Sequence, residues 1–192
     1  MTVGARPGPD GRLRCPWALG APEYLDYHDS EWGVPVTSPA GLFERLSLEA
    51  FQSGLSWITI LRKREAFRAA FLGFEPQRVA EFDEADVARL MADPAIVRNR
   101  AKITATIANA RVVAELGEEF AQMLLRYAEP DHPRPTGAGD IRASSPGSVA
   151  MAKELKAVGI RFVGPTTAYA LMQAVGLVDD HLADCFVPRR AP

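Results

Sequence analysis

Two cysteines and two of the three histidines form pairs near the two ends of the chain. Cys15 and His28 belong to the first pair, and His181 and Cys185 to the second. Thiolates and imidazoles are ligands that zinc prefers, and a Cys₂His₂ set is tetrahedral and leaves no position for water or substrate. The short step from His181 to Cys185 places both side chains on one face of a helical turn. The pattern indicates a structural zinc site that joins the two ends.

The same spacing fits a second interpretation. Cys15 and His28 can meet only if the segment between them folds back, and a free cysteine often behaves as a small buried apolar residue. On spacing alone, two buried thiols with unrelated histidines explain the pattern equally well. Two cysteines are too few for a disulfide framework, and reduced thiolates fit a cytoplasmic compartment.

The composition narrows the class of protein. The 192 residues suit one large domain or two small lobes, with 47% hydrophobic and 24% charged residues as in ordinary soluble proteins. No apolar run is long enough to cross a bilayer, so a membrane role is not expected. The net charge of −2 gives no global attraction to nucleic acid, and DNA binding would need local basic clusters. Two clusters are candidates for phosphate contacts, although solvated helix faces explain them too: Arg62, Lys63, Arg64 and Arg68, and Arg98, Arg100 and Lys102.

Helical periodicity runs through most of the chain and predicts an all-α fold. It predicts helices over residues 39–52, from 56 to about 71, from 76, from 83, over 96–116 and over about 119–127. The proline-rich stretch 129–147 is predicted to be a long loop. We expect a single domain over residues 14–188, with a flexible N-terminal tail over 1–13 and a short C-terminal tail over 189–192.

Two helices are predicted to meet at a glycine-flanked hairpin near residue 160. The first covers 148–158, the second 165–175, and the pair resembles the helix-hairpin-helix element of DNA-repair glycosylases. A helix N-terminus binds anions through its backbone N–H groups, so Gly164 and Thr166 are candidates for a DNA phosphate contact. Similar hairpins also join helices in proteins that never touch DNA.

Strand-cutting relatives carry a lysine early in the second helix, whereas Pro165-Thr166-Thr167 offers no amine nucleophile. A monofunctional enzyme is therefore expected.

Several longer motifs converge on one family. They are Cys15-Pro16-Trp17, Tyr24-Leu25-Asp26-Tyr27-His28-Asp29, Glu31-Trp32-Gly33-Val34-Pro35, Leu48-Glu49, Gly54-Leu55-Ser56-Trp57-Ile58-Thr59, Phe162-Val163-Gly164 and Asp180-His181. From about residue 14 to 188 the chain resembles the bacterial 3-methyladenine DNA glycosylase I family of constitutive alkylation-repair enzymes. The resemblance implies a helix-hairpin-helix glycosylase fold and hydrolysis of the N-glycosidic bond of 3-methyladenine in double-stranded DNA. It also implies a structural Zn²⁺ ion held by Cys15, His28, His181 and Cys185.

The resemblance also assigns roles around a base pocket. Glu49 matches the carboxylate that hydrogen-bonds the flipped purine, and Gly54 and Leu55 match the plug that enters the gap in the duplex. The aromatic residues that match the pocket walls are Tyr27, Trp57, Tyr24, Trp17 and Trp32. These types suit a cationic methylated base, which electron-rich rings and a carboxylate attract. The aromatic residues are equally common as core residues, and an outward-facing Glu49 would lose its significance.

One position departs from the family's pattern. The family usually reads Asn-Asp-His after the hairpin, and this chain reads Asp179-Asp180-His181. Asp179 is a candidate for stabilising the positively charged sugar, although we favour a surface substitution or a helix cap. The main alternative is a catalytically silent helical module that binds distorted or abasic DNA. The presence of Glu49 and the aromatic residues of the family's pocket argues against it. We expect a monomer located in the bacterial cytoplasm, at the nucleoid.

Overall fold

The computed structural model describes residues 4–190, and these residues form nine α-helices, three short 3₁₀ helices and one two-stranded antiparallel sheet. The strands are β1 (Arg6–Pro7) and β2 (Leu13–Arg14), and the 3₁₀ helices are Pro16–Gly20, Leu72–Phe74 and Ala138–Asp140. The α-helices are α1 (Pro22–Ser30), α2 (Pro39–Gln52), α3 (Trp57–Ala70), α4 (Pro76–Ala80), α5 (Glu84–Ala92), α6 (Arg100–Leu116), α7 (Glu118–Leu125), α8 (Pro146–Ala157) and α9 (Pro165–Ala174). The predicted helical class is confirmed.

Local sequence signals explain where several helices begin. The Ser38 hydroxyl accepts a hydrogen bond from Gly41 N–H at the start of α2, which has proline at its first position. Asp83 and Asp86 form a reciprocal capping box at α5. Such caps satisfy N–H groups that have no partner within the helix, and each stabilises the fold by about 0.5–2 kcal/mol.

Two helix predictions differ from the structure. The long helix α6 begins at Arg100 instead of residue 96, because the Asn99 side chain accepts a hydrogen bond from Lys102 N–H and caps the helix there. Helix α1 was not predicted. Its sequence lacks an aliphatic stripe, and the residues it buries are Tyr27 and His28. Helix prediction from periodicity depends on an apolar stripe that faces the core. A helix that buries polar and aromatic side chains, as α1 does, lacks this stripe and is not predicted.

The predicted flexible tail over residues 1–13 differs from the structure wherever the chain is described. From Gly4 onward this segment includes β1 and packs against the C-terminal segment. Ala5 N–H donates to the Asp184 carboxylate, and Phe186 N–H donates to the carbonyl of Leu13 at 2.8 Å. The predicted C-terminal tail is also held, because Arg190 donates to the carbonyl of Asp29. Residues 1–3 and 191–192 lie outside the described part of the chain.

The buried apolar residues form two clusters. The larger one joins α2 to α9 and is rich in phenylalanine, with Phe51 and Phe67 at a centroid distance of 4.6 Å. The smaller cluster contains Cys15, Tyr27 and Trp32 from the N-terminal segment and Leu182 and Cys185 from the C-terminal segment. Burial of this second cluster therefore holds the two ends of the chain together.

Helices α8 and α9 form the predicted hairpin pair. Asn109 of α6 holds the connection between α8 and α9. Its side chain accepts a hydrogen bond from Arg161 N–H at 2.8 Å and donates one to Arg161 C=O at 3.1 Å. Phe162, next in the connection, has a positive φ of 59° and is 47% exposed. Across residues 4–190, none of the helices combines the length and the apolar character that a membrane span requires.

Candidate base pocket and metal centre

A cavity of about 320 Å³ lies where α1, α2, α3 and α9 meet. This volume falls within the range of small-molecule pockets. Its lining residues are Trp17, Tyr24, Tyr27, Trp32, Glu49, Gln52, Trp57, Ile141, Ala170 and Gln173. All six pocket residues predicted from the sequence line this one cavity, five of them aromatic and the sixth Glu49.

The aromatic walls are built by mutual contacts. Tyr27 of α1 and Trp57 of α3 have ring centroids 5.4 Å apart, and Trp17 meets Trp32 edge-on at 5.0 Å. The Tyr24 hydroxyl accepts a hydrogen bond from Ile58 N–H at 2.9 Å, which ties α1 to the start of α3. The walls are therefore positioned by contacts between helices distant in sequence.

Glu49 is the charged group of the cavity wall. Glu49 is only 6% exposed, and no hydrogen bond joins its carboxylate to any of residues 4–190, because the nearby Arg45 donates to Glu31 instead. Burial raises the pKa of Glu49 to about 8, an effect that the nearby Arg45 guanidinium partly offsets. A carboxylate held in the interior without a protein partner is costly unless a molecule in the cavity satisfies it, which indicates a functional reason for its presence.

The four predicted metal ligands meet at one buried point. Their donor atoms all lie within 4.8 Å of one another. His28 Nε2 lies 3.2 Å from His181 Nδ1 and 3.5 Å from Cys185 Sγ, and the last two atoms are 3.8 Å apart. Tetrahedral zinc with bonds of about 2.0–2.3 Å requires ligand separations of about 3.3–3.8 Å. The donor set and its spacing fit such an ion.

The groups around the two histidines suit the same role. His28 Nδ1 lies 2.8 Å from a carboxylate oxygen of Asp29, and His181 Nε2 lies 3.2 Å from the carbonyl of Trp32. Both partners are acceptors, so a neutral ring that donates from its outer nitrogen would direct a lone pair at the cluster. An outer carboxylate or carbonyl of this kind orients metal-binding histidines.

The predicted plug is an exposed turn between α2 and α3. Leu55 N–H donates to the carbonyl of Gln52 at 2.6 Å, and Leu55 is 42% exposed. Ser53 has φ −47° and ψ 117°, and Gly54 has φ +82°. These angles define a type II turn, whose third position requires a positive φ and therefore glycine. The turn presents Leu55 beside the cavity residues Gln52 and Trp57.

Gly164 and Thr166 lie at the exposed start of α9. Gly164 precedes the helix without a side-chain cap, and Pro165 carries no N–H group. The first N–H groups of a helix have no intrahelical partner, so Thr166 N–H is available to an anion.

Most of the predicted phosphate-binding cations have protein partners instead. Ion pairs join Arg62 to Glu23, Arg64 to Glu31, Arg68 to Glu44 and Arg100 to Glu84. Lys63 donates to the carbonyls of Pro94 and Ala95, and Lys102 donates to those of Phe51 and Ser53. Lys102 is 8% exposed and is therefore a buried structural cation, contrary to the prediction that it is a phosphate contact.

Asp179 lies outside the cavity wall. Its carboxylate accepts from Arg134 Nε at 2.8 Å and from His181 N–H at 3.2 Å. It is neither a helix cap nor a simple surface residue, because the ion pair with Arg134 holds it. The neighbouring Asp180, to which the sequence assigned no role, is buried and accepts from Tyr169 and from Gln173 of the cavity wall.

Sequence reasoning missed four lining residues, Gln52, Ile141, Ala170 and Gln173. Ile141 lies in the predicted loop, where no periodicity exists to point it inward. Gln173 offered a signal, since it is a polar residue between the buried Met172 and Ala174 of an otherwise apolar helix. The Asp180 carboxylate can only accept, so it turns the Gln173 amide N–H towards itself.

Comparisons with known proteins agree with this arrangement of helices and cavity. The model of a family described as methyladenine glycosylase matches residues 17–188. The chain belongs to this family. It is 45% identical to DNA-3-methyladenine glycosylase 1 of Escherichia coli K12, over 90% of this chain and 95% of that protein. It is 41% identical to DNA-3-methyladenine glycosylase of Haemophilus influenzae, over 90% and 96% respectively.

Solved structures show the same fold. A crystal structure of 3-methyladenine DNA glycosylase I matches with a TM-score of 0.85 and 46% identity, covering 90% of this chain and 98% of the other. The Staphylococcus aureus enzyme matches with a TM-score of 0.87 and 36% identity over 93% and 98%. A tyrosine-to-phenylalanine variant of a 3-methyladenine DNA glycosylase I, in complex with 3-methyladenine, matches with a TM-score of 0.86 and 34% identity over 93% and 99%.

Proposed function

We propose that this chain is a monofunctional DNA-3-methyladenine glycosylase that hydrolyses the N-glycosidic bond of 3-methyladenine in alkylated double-stranded DNA. The observation that carries the proposal is the buried Glu49 carboxylate, which has no hydrogen-bond partner among residues 4–190 and faces a cavity walled by aromatic rings. The curated relatives carry the same activity in their names.

The chemistry of the lesion matches this cavity. A purine methylated at N3 is cationic in DNA, so the faces of Tyr27 and Trp57 attract it and Glu49 adds a negative charge and an acceptor. Unmodified adenine lacks the charge, so it gains neither the cation–π attraction nor the ion pair. The cavity therefore selects the damaged base electrostatically.

The positive charge of the methylated purine also weakens its N-glycosidic bond. The methylated base leaves as a neutral molecule, so no general acid is needed to protonate it. Charge stabilisation near the sugar, with water as the nucleophile, then suffices for catalysis. Without an amine near the start of α9, the product is an abasic site in an uncut strand.

Extraction of the base requires help from the protein surface. Flipping a nucleotide costs a few kcal/mol of unstacking. Leu55 on its exposed turn fills the gap, and the N–H groups at Gly164 and Thr166 hold a phosphate near the lesion. One chain carries the complete set of parts, which supports a monomeric enzyme acting on the DNA of the bacterial cytoplasm.

Cys15, His28, His181 and Cys185 would hold a structural Zn²⁺ ion. A bound zinc crosslinks the two ends of the chain and offers no open coordination position for chemistry. Trp17 and Tyr27 lie close to its ligands in sequence and line the cavity, so the metal site would also position the cavity walls.

Release of free 3-methyladenine from methylated duplex DNA tests the proposal. We expect the wild-type protein to release it, and Glu49→Gln to lower the single-turnover rate by about 100-fold or more, since it removes the carboxylate that faces the base. Glu65→Gln is the matched control, because Glu65 is an exposed carboxylate that pairs with Arg68 and does not line the cavity. Chromatography identifies the released base.

Three outcomes would contradict the proposal. Zinc-loaded, folded protein that releases no base from methylated DNA would overturn it. Binding of abasic DNA without any excision would favour the catalytically silent module. Release of another alkylated purine in place of 3-methyladenine would retain the enzyme and change its substrate.

A further inference from the structure

The buried Lys102 contacts the segment that carries the plug. Its ammonium group donates to the carbonyl of Phe51 at 2.8 Å and to that of Ser53 at 2.6 Å. The lysine comes from α6, and its own N–H is held by the Asn99 cap at 3.2 Å. The capped start of α6 therefore positions the Lys102 ammonium group against the C-terminal end of α2.

The hydrogen bond from Lys102 to the carbonyl of Phe51 caps the C-terminal end of α2. The last carbonyls of a helix have no intrahelical partner and carry the negative end of the helix dipole. Phe51 is the penultimate residue of α2, and its carbonyl is buried against Lys102. The lysine satisfies this acceptor where water has little access.

The second contact selects one form of the turn. Type I and type II turns differ mainly by a flip of the peptide between the two central residues, which reverses the direction of its carbonyl. Here that carbonyl belongs to Ser53 and points to Lys102 at 2.6 Å. The flip would remove the hydrogen bond and would also release Gly54 from its positive φ of 82°.

We propose that Lys102 is a positioning residue that locks the turn over residues 52–55 in its type II form and thereby presents Leu55 to the gap in the duplex. The inference rests on the proposed function, since it assigns Leu55 the role of a plug. It gives a buried cation a task in base extraction without contact to DNA or to the base.

The test separates base extraction from base binding. Lys102→Met keeps the length of the side chain and removes its donors. We expect the single-turnover excision rate on methylated duplex DNA to fall about ten-fold or more, because a misdirected plug no longer offsets unstacking. The affinity for free 3-methyladenine, measured by quenching of the pocket tryptophans, should stay within about two-fold, since free base needs no extraction. Lys102→Arg should restore part of the rate, because a guanidinium can donate to both carbonyls.

Lys63 supplies the matched control. It too donates to two backbone carbonyls, those of Pro94 and Ala95, at 3.1 and 2.9 Å, but these belong to the loop after α5 and not to the turn over residues 52–55. Lys63→Met should leave excision and base affinity unchanged. Gly54→Ala provides a second route should Lys102→Met fail to fold, since its Cβ would meet no atom within 4 Å and only the backbone conformation of the turn is disfavoured.

Each remaining result has one meaning. Wild-type excision rates in Lys102→Met or Gly54→Ala would overturn the role of the turn. An equal loss of excision and base affinity would show a general structural role and would also overturn it. A wild-type protein that binds free base but excises none would overturn the proposed function, and this inference with it.

Discussion

At the scale of single residues, we expect Glu49 to set the pH dependence of excision. Burial raises its pKa to about 8 in the free protein, so at neutral pH the carboxyl group is mostly protonated before the base enters. A cationic base favours the ionised form and displaces that proton. Binding of the lesion is therefore coupled to proton release, and it becomes more favourable as pH rises towards 8.

We predict that kcat/KM for excision rises with pH up to about 8 and then levels, because this parameter follows ionisation in the free enzyme. The slope below the plateau should approach ten-fold per pH unit. Glu49→Gln should lower the rate and remove this dependence, whereas Glu65→Gln should retain it. A flat wild-type profile between pH 6 and about 8 would contradict the assignment of Glu49.

At the scale of elements, the hairpin between α8 and α9 owes its shape to a side chain from elsewhere in the fold. Asn109 of α6 makes two hydrogen bonds to the backbone of Arg161. It holds the connection while leaving Phe162 exposed and the N–H groups of α9 open to solvent. The hairpin that would grip DNA is thus supported from the side opposite to the DNA.

We predict that Asn109→Leu weakens binding to a duplex with an abasic site by about ten-fold while leaving affinity for free 3-methyladenine unchanged. It should also lower the free energy of unfolding by about 1–3 kcal/mol, since it leaves the Arg161 N–H and C=O without partners. Fluorescence anisotropy measures the first effect and urea denaturation the second. Unaltered DNA affinity would show that the hairpin keeps its shape without Asn109.

Element positions were largely predictable, and the contacts between elements were not. Ser38-Pro39 and Asp83 are local signals that locate the starts of α2 and α5 within the sequence itself. The partners of Lys102 lie about fifty positions away, and those of Asn109 likewise, so no local pattern reveals them. The six pocket residues were identified through a family resemblance, and periodicity alone would have left Tyr27 and Glu49 unassigned.

At the scale of the whole molecule, we expect the cluster of Cys15, His28, His181 and Cys185 to strengthen the junction between the two ends when it holds a metal ion. Without metal, buried thiols and imidazoles gain little from each other. With zinc, the binding free energy becomes part of the folding free energy. The metal should therefore matter to activity through the position of the pocket walls.

We predict about one zinc per chain by atomic spectroscopy, and a clear fall in melting temperature after chelation, with excision lost as the pocket loosens. Cys185→Ser should reproduce this loss of stability, and added zinc should not rescue it. Controlled return of zinc to the chelated wild-type protein should restore stability and excision together. Full excision by a metal-free protein of unchanged melting temperature would contradict the structural role.

The joining of the two ends has a consequence for how the protein is made. Trp17 and Gln173 face the same cavity, although the two residues lie far apart in the sequence. Contacts of such long sequence separation form late and slow folding. The cavity therefore cannot be complete until the segment that carries α9 has left the ribosome. A chain that stopped before α9 would lack the cavity wall formed by Ala170 and Gln173 and two members of the Cys/His cluster, His181 and Cys185.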